Sequence, residues 1–451
     1  MKFFSKKMLF LSTSVVLFAM AGCGSSKGAN PSASVEPSAS VAPKASGKEA
    51  VELVYWHFWT GDDAKMIDGI VDEFNKTHPG IKVKSVSIPG DIDTKFLTAN
   101  AGGNPPDIIT EGSSVVPAWA DSGAIMPLDK YQSADAPDFK DWLYPVVKNM
   151  GSYNNQLYAV AFSMDAHAMI YNKDIFKAAG LDPEKPPVTI EELDAMQDKL
   201  WQKDDRGFIQ RIGYMPNNIR SWNPSFDGHW VDEAGNPTAT NEHNLKLFQW
   251  FQSYAKKYDA TKLAAFKNSL KESGGSTNPF FSGKQAIIID GMWALPDIKK
   301  YAPNMNYGVA PMPYPAGYGK ANADLSDGNF NMIPSKAKHP EEAWQFVKWM
   351  SGYGNEKYAA NMLTQGGWIP ASPKIAVQPD YQAFINEIPV RKIFVDTLGS
   401  KNAKPLPGIA KGMYYSDRIK AAEEAVMTLA KTPEKALQDL QAEIEKEIKN
   451  K

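Results

Sequence analysis

The stretch Leu157 to Gly180 constrains the fold more than any other. An apolar run, Tyr158 to Phe162, meets a break at Ser163, Met164 and Asp165. A second apolar run, Ala166 to Tyr171, follows, and a helix start comes at Asn172. Two extended runs divided by one acid form either one long strand or a chain leaving one compact body for another. The second arrangement creates a cleft with Asp165 on its floor. Length speaks for it, since 451 residues are too many for one small core. The design also recurs: Gln285 to Ile289 is a continuous apolar run ending in Asp290, Gly291, Met292 and Trp293.

The folded body opens with alternating elements. Glu52 to Trp59 is an apolar and aromatic run long enough for a buried strand. Met66, Ile67, Ile70, Val71 and Phe74 then recur at helical spacing, and His78-Pro79-Gly80 stops that helix. Ile81 to Ile88 reads as a second strand whose apolar set changes parity between Val83 and Val86, which predicts a bulge. Lys95 to Ala101 is a short helix, and Pro106 to Ile109 a third strand running into Glu111. This alternation predicts a parallel sheet with helices on its faces. Ligands of such sheets sit beyond the carboxyl ends of the strands, where Trp59 and Glu111 fall. Further on, Thr189 with Glu192 forms a capping box. Residues 207–230, rich in Trp, Asn, Pro and Gly, read as an irregular segment carrying Trp222 and Trp230. Two helices close the chain, the last opened by Thr432 and Pro433.

The first 22 residues read as a secretory signal. Lys2, Lys6 and Lys7 precede an apolar stretch, Met8 to Met20, that is short for a permanent span. Met20-Ala21-Gly22-Cys23 resembles the lipobox of bacterial lipoproteins, which implies lipidation of Cys23 and an anchor in the membrane. Cys23 is the single cysteine, so no internal disulfide is possible. Residues 23–50 are rich in Ser, Ala, Pro and Val and read as an extended tether.

Charge and motifs exclude several classes. The net charge of −2 moves to −5 once the three lysines of the signal are removed, so nothing favours nucleic acid as a partner. No phosphate-binding Gly-rich loop ending in Lys-Ser/Thr, no His pair at the spacing of a zinc helix and no Gly-x-Ser-x-Gly elbow is present. No cofactor is expected. What stands out is 11% aromatic residues, with 12 Trp and 18 Tyr, amphipathic rings suited to ligands with mixed faces.

A set of ordered segments then resembles a known family. It comprises the aromatic first strand, Phe74 to Val83, Gly103 to Ile109, Gly123 to Asp129, Tyr171 to Phe176, Phe281 to Ala286 and Pro340 to Trp344. Each is weak alone; their order and spacing look like the family 1 extracellular solute-binding proteins, sugar-capturing lipoproteins of ABC importers. The resemblance spans about residues 50 to 440. It implies an α/β fold of the two-lobed periplasmic-binding-protein type (class II), closing like a hinged trap. Crossings between lobes are expected at Val160 to Asp165, Ile289 to Trp293 and about Asp327 to Asn331. Lobe 1 is expected to hold 51–162 with 293–328, and lobe 2 to hold 163–292 with 329–451.

Carried over position by position, the resemblance places Trp59, Glu111, Asp165, Asp290 and Trp293 on the cleft, with Trp222, Asp327 and Trp368 as further candidates. Trp rings stack on the apolar faces of pyranoses, and carboxylates accept sugar hydroxyls. The implied partners are a carbohydrate, expected to be an oligosaccharide, and the membrane subunits of an ABC permease, with the protein a lipid-anchored monomer on the extracellular face of the cell membrane. Two other classes remain open from sequence: a surface glycoside hydrolase using Asp165 and Asp290, and a binder of a peptide or polyamine.

Overall fold

The computed structural model describes residues 50–449, apart from Glu233, residues 271–276 and Pro407. The expected signal peptide (1–22), Cys23 and the tether up to residue 49 lie outside the described residues. Among the described residues no helix is long and apolar enough to cross a membrane.

The strands that carry the architecture are, in chain order, β1 (Val51–His57), β2 (Ile81–Ser87), β3 (Ile108–Gly112), β4 (Ala159–Asp165), β5 (His167–Asn172), β6 (Ile287–Gly291), β7 (Tyr307–Ala310), β8 (Asp324–Leu325), β9 (Asp327–Met332) and β10 (Ala403–Lys404). Leu53, Tyr55 and His57 alternate inward along β1 and are buried. The helix Gly61–Thr77 presses Ile67, Ile70, Val71 and Phe74 onto that sheet, the stripe its spacing predicts. The first sheet has the order β2-β1-β3-β9-β4; β1 pairs with β2 and β3 in parallel, and β9 runs antiparallel between β3 and β4. The second sheet is β6-β5-β7, all antiparallel, and β8 pairs with β10. The capping box at Thr189 forms as its sequence requires, and Asn172 caps the helix after β5 by accepting from the Ile175 N–H.

Two apolar cores result. One gathers Leu53, Ile109, Phe162, Phe330, Trp344 and Phe346; the other gathers Tyr214, Trp222, Phe251, Ile287, Tyr415 and Leu440. The second sheet serves both. Met169, Tyr171 and Ile287 face the second core, while Ala168, Ile170 and Val309 join the first with Leu295, Ile298 and Phe394. The chain crosses between β4 and β5 at Ala166, between β8 and β9 at Ser326, and again between Leu398 and β10.

Three expectations change. The second crossing does not occur at Ile289 to Trp293, because β6 pairs with β5 along its whole length, Ile287 opposite Tyr171 to Gly291 opposite His167. The lobe boundaries shift with it. Residues 329–398, expected in lobe 2, pack on the first core, whereas β7 lies in the second sheet, Met312 in the second core, and β8 is tied to β5 through the His167 N–H bond to Asp324. An apolar run looks the same whether it crosses or stays, since its periodicity does not name its partner strand. The bulge expected in β2 is absent: its register to β1 is unbroken from Val51–Ile81 to His57–Ser87. This edge strand keeps Val86 half-buried on its second face, which explains the parity change without a bulge.

The irregular segment supplies an anchor of the second core. Trp222 is fully buried, donates from Nε1 to the Tyr214 hydroxyl at 2.7 Å and meets the Trp250 ring edge-on at 4.7 Å. Trp222→Ala is expected to destabilise the protein by about 3–5 kcal/mol, read as a lower urea midpoint at an unchanged slope.

Candidate functional site

The site is built where strand ends meet. Asp165, the last residue of β4, pairs with Asp327, the first of β9. His167, the first of β5, pairs with Gly291, the last of β6. Trp293 follows two residues later. Glu111 lies near the carboxyl end of β3, opposite Phe330 of β9. Loops at these ends sit outside the sheet, where open α/β sheets bind ligands. The helix Gly412–Met427 of the second core reaches the segments Ser113–Val115 and Val116–Asp121 of the first.

Trp293 is half-buried and held in place from two sides. Its ring lies back over Gly291, where a Cβ would stand 2.0 Å from the indole, so only glycine admits this placement. The His167 ring meets it edge-on, with centroids 5.6 Å apart at 85°. Beside it, the half-buried Asp290 accepts from the Gly291 N–H at 2.8 Å, and burial pushes its carboxyl above the usual range.

The other carboxylates are also perturbed. Burial, together with Asp327 and Asp324, pushes Asp165 up to about 7 against the opposing pull of His167. Burial, followed by the neighbouring acids Asp93 and Asp327, takes Glu111 from 4.5 to about 7, although its Oε2 accepts from the Gly112 N–H at 2.7 Å. Asp327 has a different job. Its Oδ1 accepts from the Ser113 N–H at 2.9 Å, the Ser113 hydroxyl at 2.7 Å and the Gly328 N–H at 2.8 Å, stitching β9 to the end of β3. Clustered, proton-retaining carboxyls beside an aromatic ring suit hydrogen bonding to hydroxyl groups in both directions.

The remaining tryptophans divide. Trp59 and Trp368 come together, with ring centroids 5.9 Å apart and Phe162 of β4 against both, but they are only 8% and 7% exposed. They form an aromatic base under the crossing rather than an open platform. Trp222 does not reach the site, because the second core encloses it. Sequence reasoning missed His167, Asp324 and Asp93. His167 stands two residues past Asp165 and was legible only as part of an apolar run. Among the described residues no group of three or more His, Asp or Glu side chains has the arrangement of a metal site.

Residues 69–386 match the model of a family described as bacterial extracellular solute-binding protein. The chain belongs to that family. It is 28% identical over 413 residues to the sn-glycerol-3-phosphate-binding periplasmic protein UgpB of Yersinia pestis, covering 86% of this chain and 90% of the relative. A solved structure of CpMnBP1 with mannotriose bound is 32% identical with a TM-score of 0.78, over 87% of this chain and 99% of that one. The Listeria monocytogenes ABC substrate-binding protein in complex with cycloalternan shares the fold at 20% identity, with a TM-score of 0.74 over 89% of this chain and 99% of that one. The resemblance seen in the sequence, and the two-lobed α/β fold it implied, are borne out.

The raised Glu111 carboxyl has a measurable consequence for this solute-binding protein. Folded Glu111 keeps its proton to about pH 7, while the unfolded group loses it near 4.5. The native state therefore binds more protons over that window, and this group's contribution to stability falls as pH rises from about 4.5 through 7. Glu111→Gln is expected to stabilise the unliganded protein by about 1–3 kcal/mol at pH 8. The difference should close toward pH 4.5 in thermal unfolding.

Proposed function

We propose that the protein captures a neutral carbohydrate, an oligosaccharide, between its lobes and delivers it to an ABC-type permease without altering it. The observation that carries this reading is the half-buried Trp293 ring, laid over Gly291 at the end of β6, with Asp290 beside it and Asp165 next to the His167 that the ring meets. A ring offers a pyranose its flat apolar face while carboxyls take the hydroxyls at the edge. The mannotriose held by CpMnBP1 supports an oligosaccharide.

UgpB is named for a phosphate ester, and the site here argues against that ligand. Phosphate recognition calls for cations and convergent N–H donors. This floor presents the carboxyls of Asp165, Asp290, Asp327 and Glu111, and the charge of the one imidazolium among them, His167, is balanced by Asp324, so its net charge is negative. A phosphate would meet repulsion where a sugar hydroxyl meets an acceptor.

The protein would act as a monomer on the outer face of the membrane, held by lipid on Cys23. Growth with labelled palmitate should label the wild type and leave Cys23→Ala unlabelled; labelling of both would remove the anchor from this reading.

The ligand itself is tested by tryptophan fluorescence. Manno- and malto-oligosaccharides and glycerol 3-phosphate would be titrated in turn, with micromolar or tighter binding expected for a sugar and none for the phosphate. Trp293→Ala should weaken the sugar at least about 100-fold and Gly291→Ala, by displacing the ring, about tenfold. Chromatography of a bound oligosaccharide should return it intact. A panel in which no sugar binds, or one in which products appear, overturns the reading.

A further inference from the structure

A buried ion pair lies beneath Trp293. The His167 main-chain N–H donates to Asp324 Oδ2 at 2.8 Å, and ring Nδ1 lies 3.2 Å from both carboxylate oxygens. Asp324 is 0% exposed, and among the described residues the hydrogen-bond partners of its side chain both belong to His167. A carboxylate so enclosed is stable only beside a compensating charge. The imidazole is thus held doubly protonated: burial pulls its pKa down, but Asp324 of β8, Asp165 of β4 and Asp290 of β6 outweigh it and leave it at about 9.

The two nitrogens of an imidazole lie on opposite sides of the ring. With Nδ1 committed to the buried carboxylate, Nε2–H is the donor left, it is absent from the buried unpartnered atoms, and the side chain keeps 21% of its surface exposed. Trp293 stands edge-on to that ring, and no hydrogen bond of Nε2 occurs among the described residues. We infer that His167 is a ligand-contacting residue, whose Nε2–H donates to an oxygen of the sugar stacked on Trp293. The inference rests on the carbohydrate reading above. It gives the site a charge-assisted donor among its acceptors and makes affinity depend on pH on the alkaline side, because the charge is lost as pH rises through about 9.

The test separates donor, charge and fold. His167→Asn keeps a donor near the Nδ1 position and removes Nε2; His167→Gln places an uncharged donor near Nε2. Because either leaves the Asp324 charge unpaired, both are also made in an Asp324→Asn background. With mannotriose as the probe, or the tightest sugar of the panel, the Asn variants should bind about tenfold to a hundredfold more weakly, and the Gln variants should recover most of that loss. Wild-type affinity should fall between pH 8 and 10, and the Gln variants should show no such step. Equal affinity of the Asn variants and wild type overturns the inference, as does a pH step that persists in the Gln variants. A ligand-free arm distinguishes its failure from that of the carbohydrate reading. One histidine resonance in the NMR spectrum should titrate near pH 9 and vanish in His167→Gln. Without that resonance the His167 inference fails whatever the sugars do; with it, and with no sugar bound by the wild type, the carbohydrate reading is what falls.

Discussion

The first lobe depends on a strand that arrives late in the chain. β9 inserts antiparallel between β3 and β4, more than 150 residues after either begins. Its polar side chains are locked into the sheet from both sides. The Tyr55 hydroxyl meets Thr110 Oγ1 at 2.6 Å, Thr110 bonds Asn331, and Asn329 Nδ2 donates to Ser163 Oγ at 2.7 Å. In a dry interior such a ladder specifies register, because a slip of one residue leaves buried polar groups unpaired. The same insertion forces the chain to leave the second lobe at Ser326, and so sets Asp327 opposite Asp165.

The cleft floor follows from that geometry. Four strand ends converge on a small volume, and the polar residues at each end are acids or histidine. Burial, with repulsion from neighbouring acids behind it, raises Asp165 and Glu111 into the range where a carboxyl both donates and accepts near neutral pH.

Much of this was legible before any coordinates. Asp165 announced itself as the one acid between two apolar runs, and Asp290 with Trp293 as the repeat of that design. Trp222 was misread because a segment dense in Trp, Asn, Pro and Gly has the same composition whether it lines a cleft or plugs a core. Its burial comes from packing against the helix Glu242–Tyr258, which local spacing does not reveal. Asp324 was invisible for a related reason: its partner lies 157 residues away.

By itself, then, the sequence determined what depends on near neighbours. The strands and helices, the caps at Asn172 and Thr189, and the acid–aromatic endings of β4 and β6 all arise from residues a few positions apart. The tertiary structure alone decided which strand lies beside which, and therefore that residues 329–398 pack with the first sheet. It also decided the charge on His167, because protonation answers to the distance between groups in space and not along the chain.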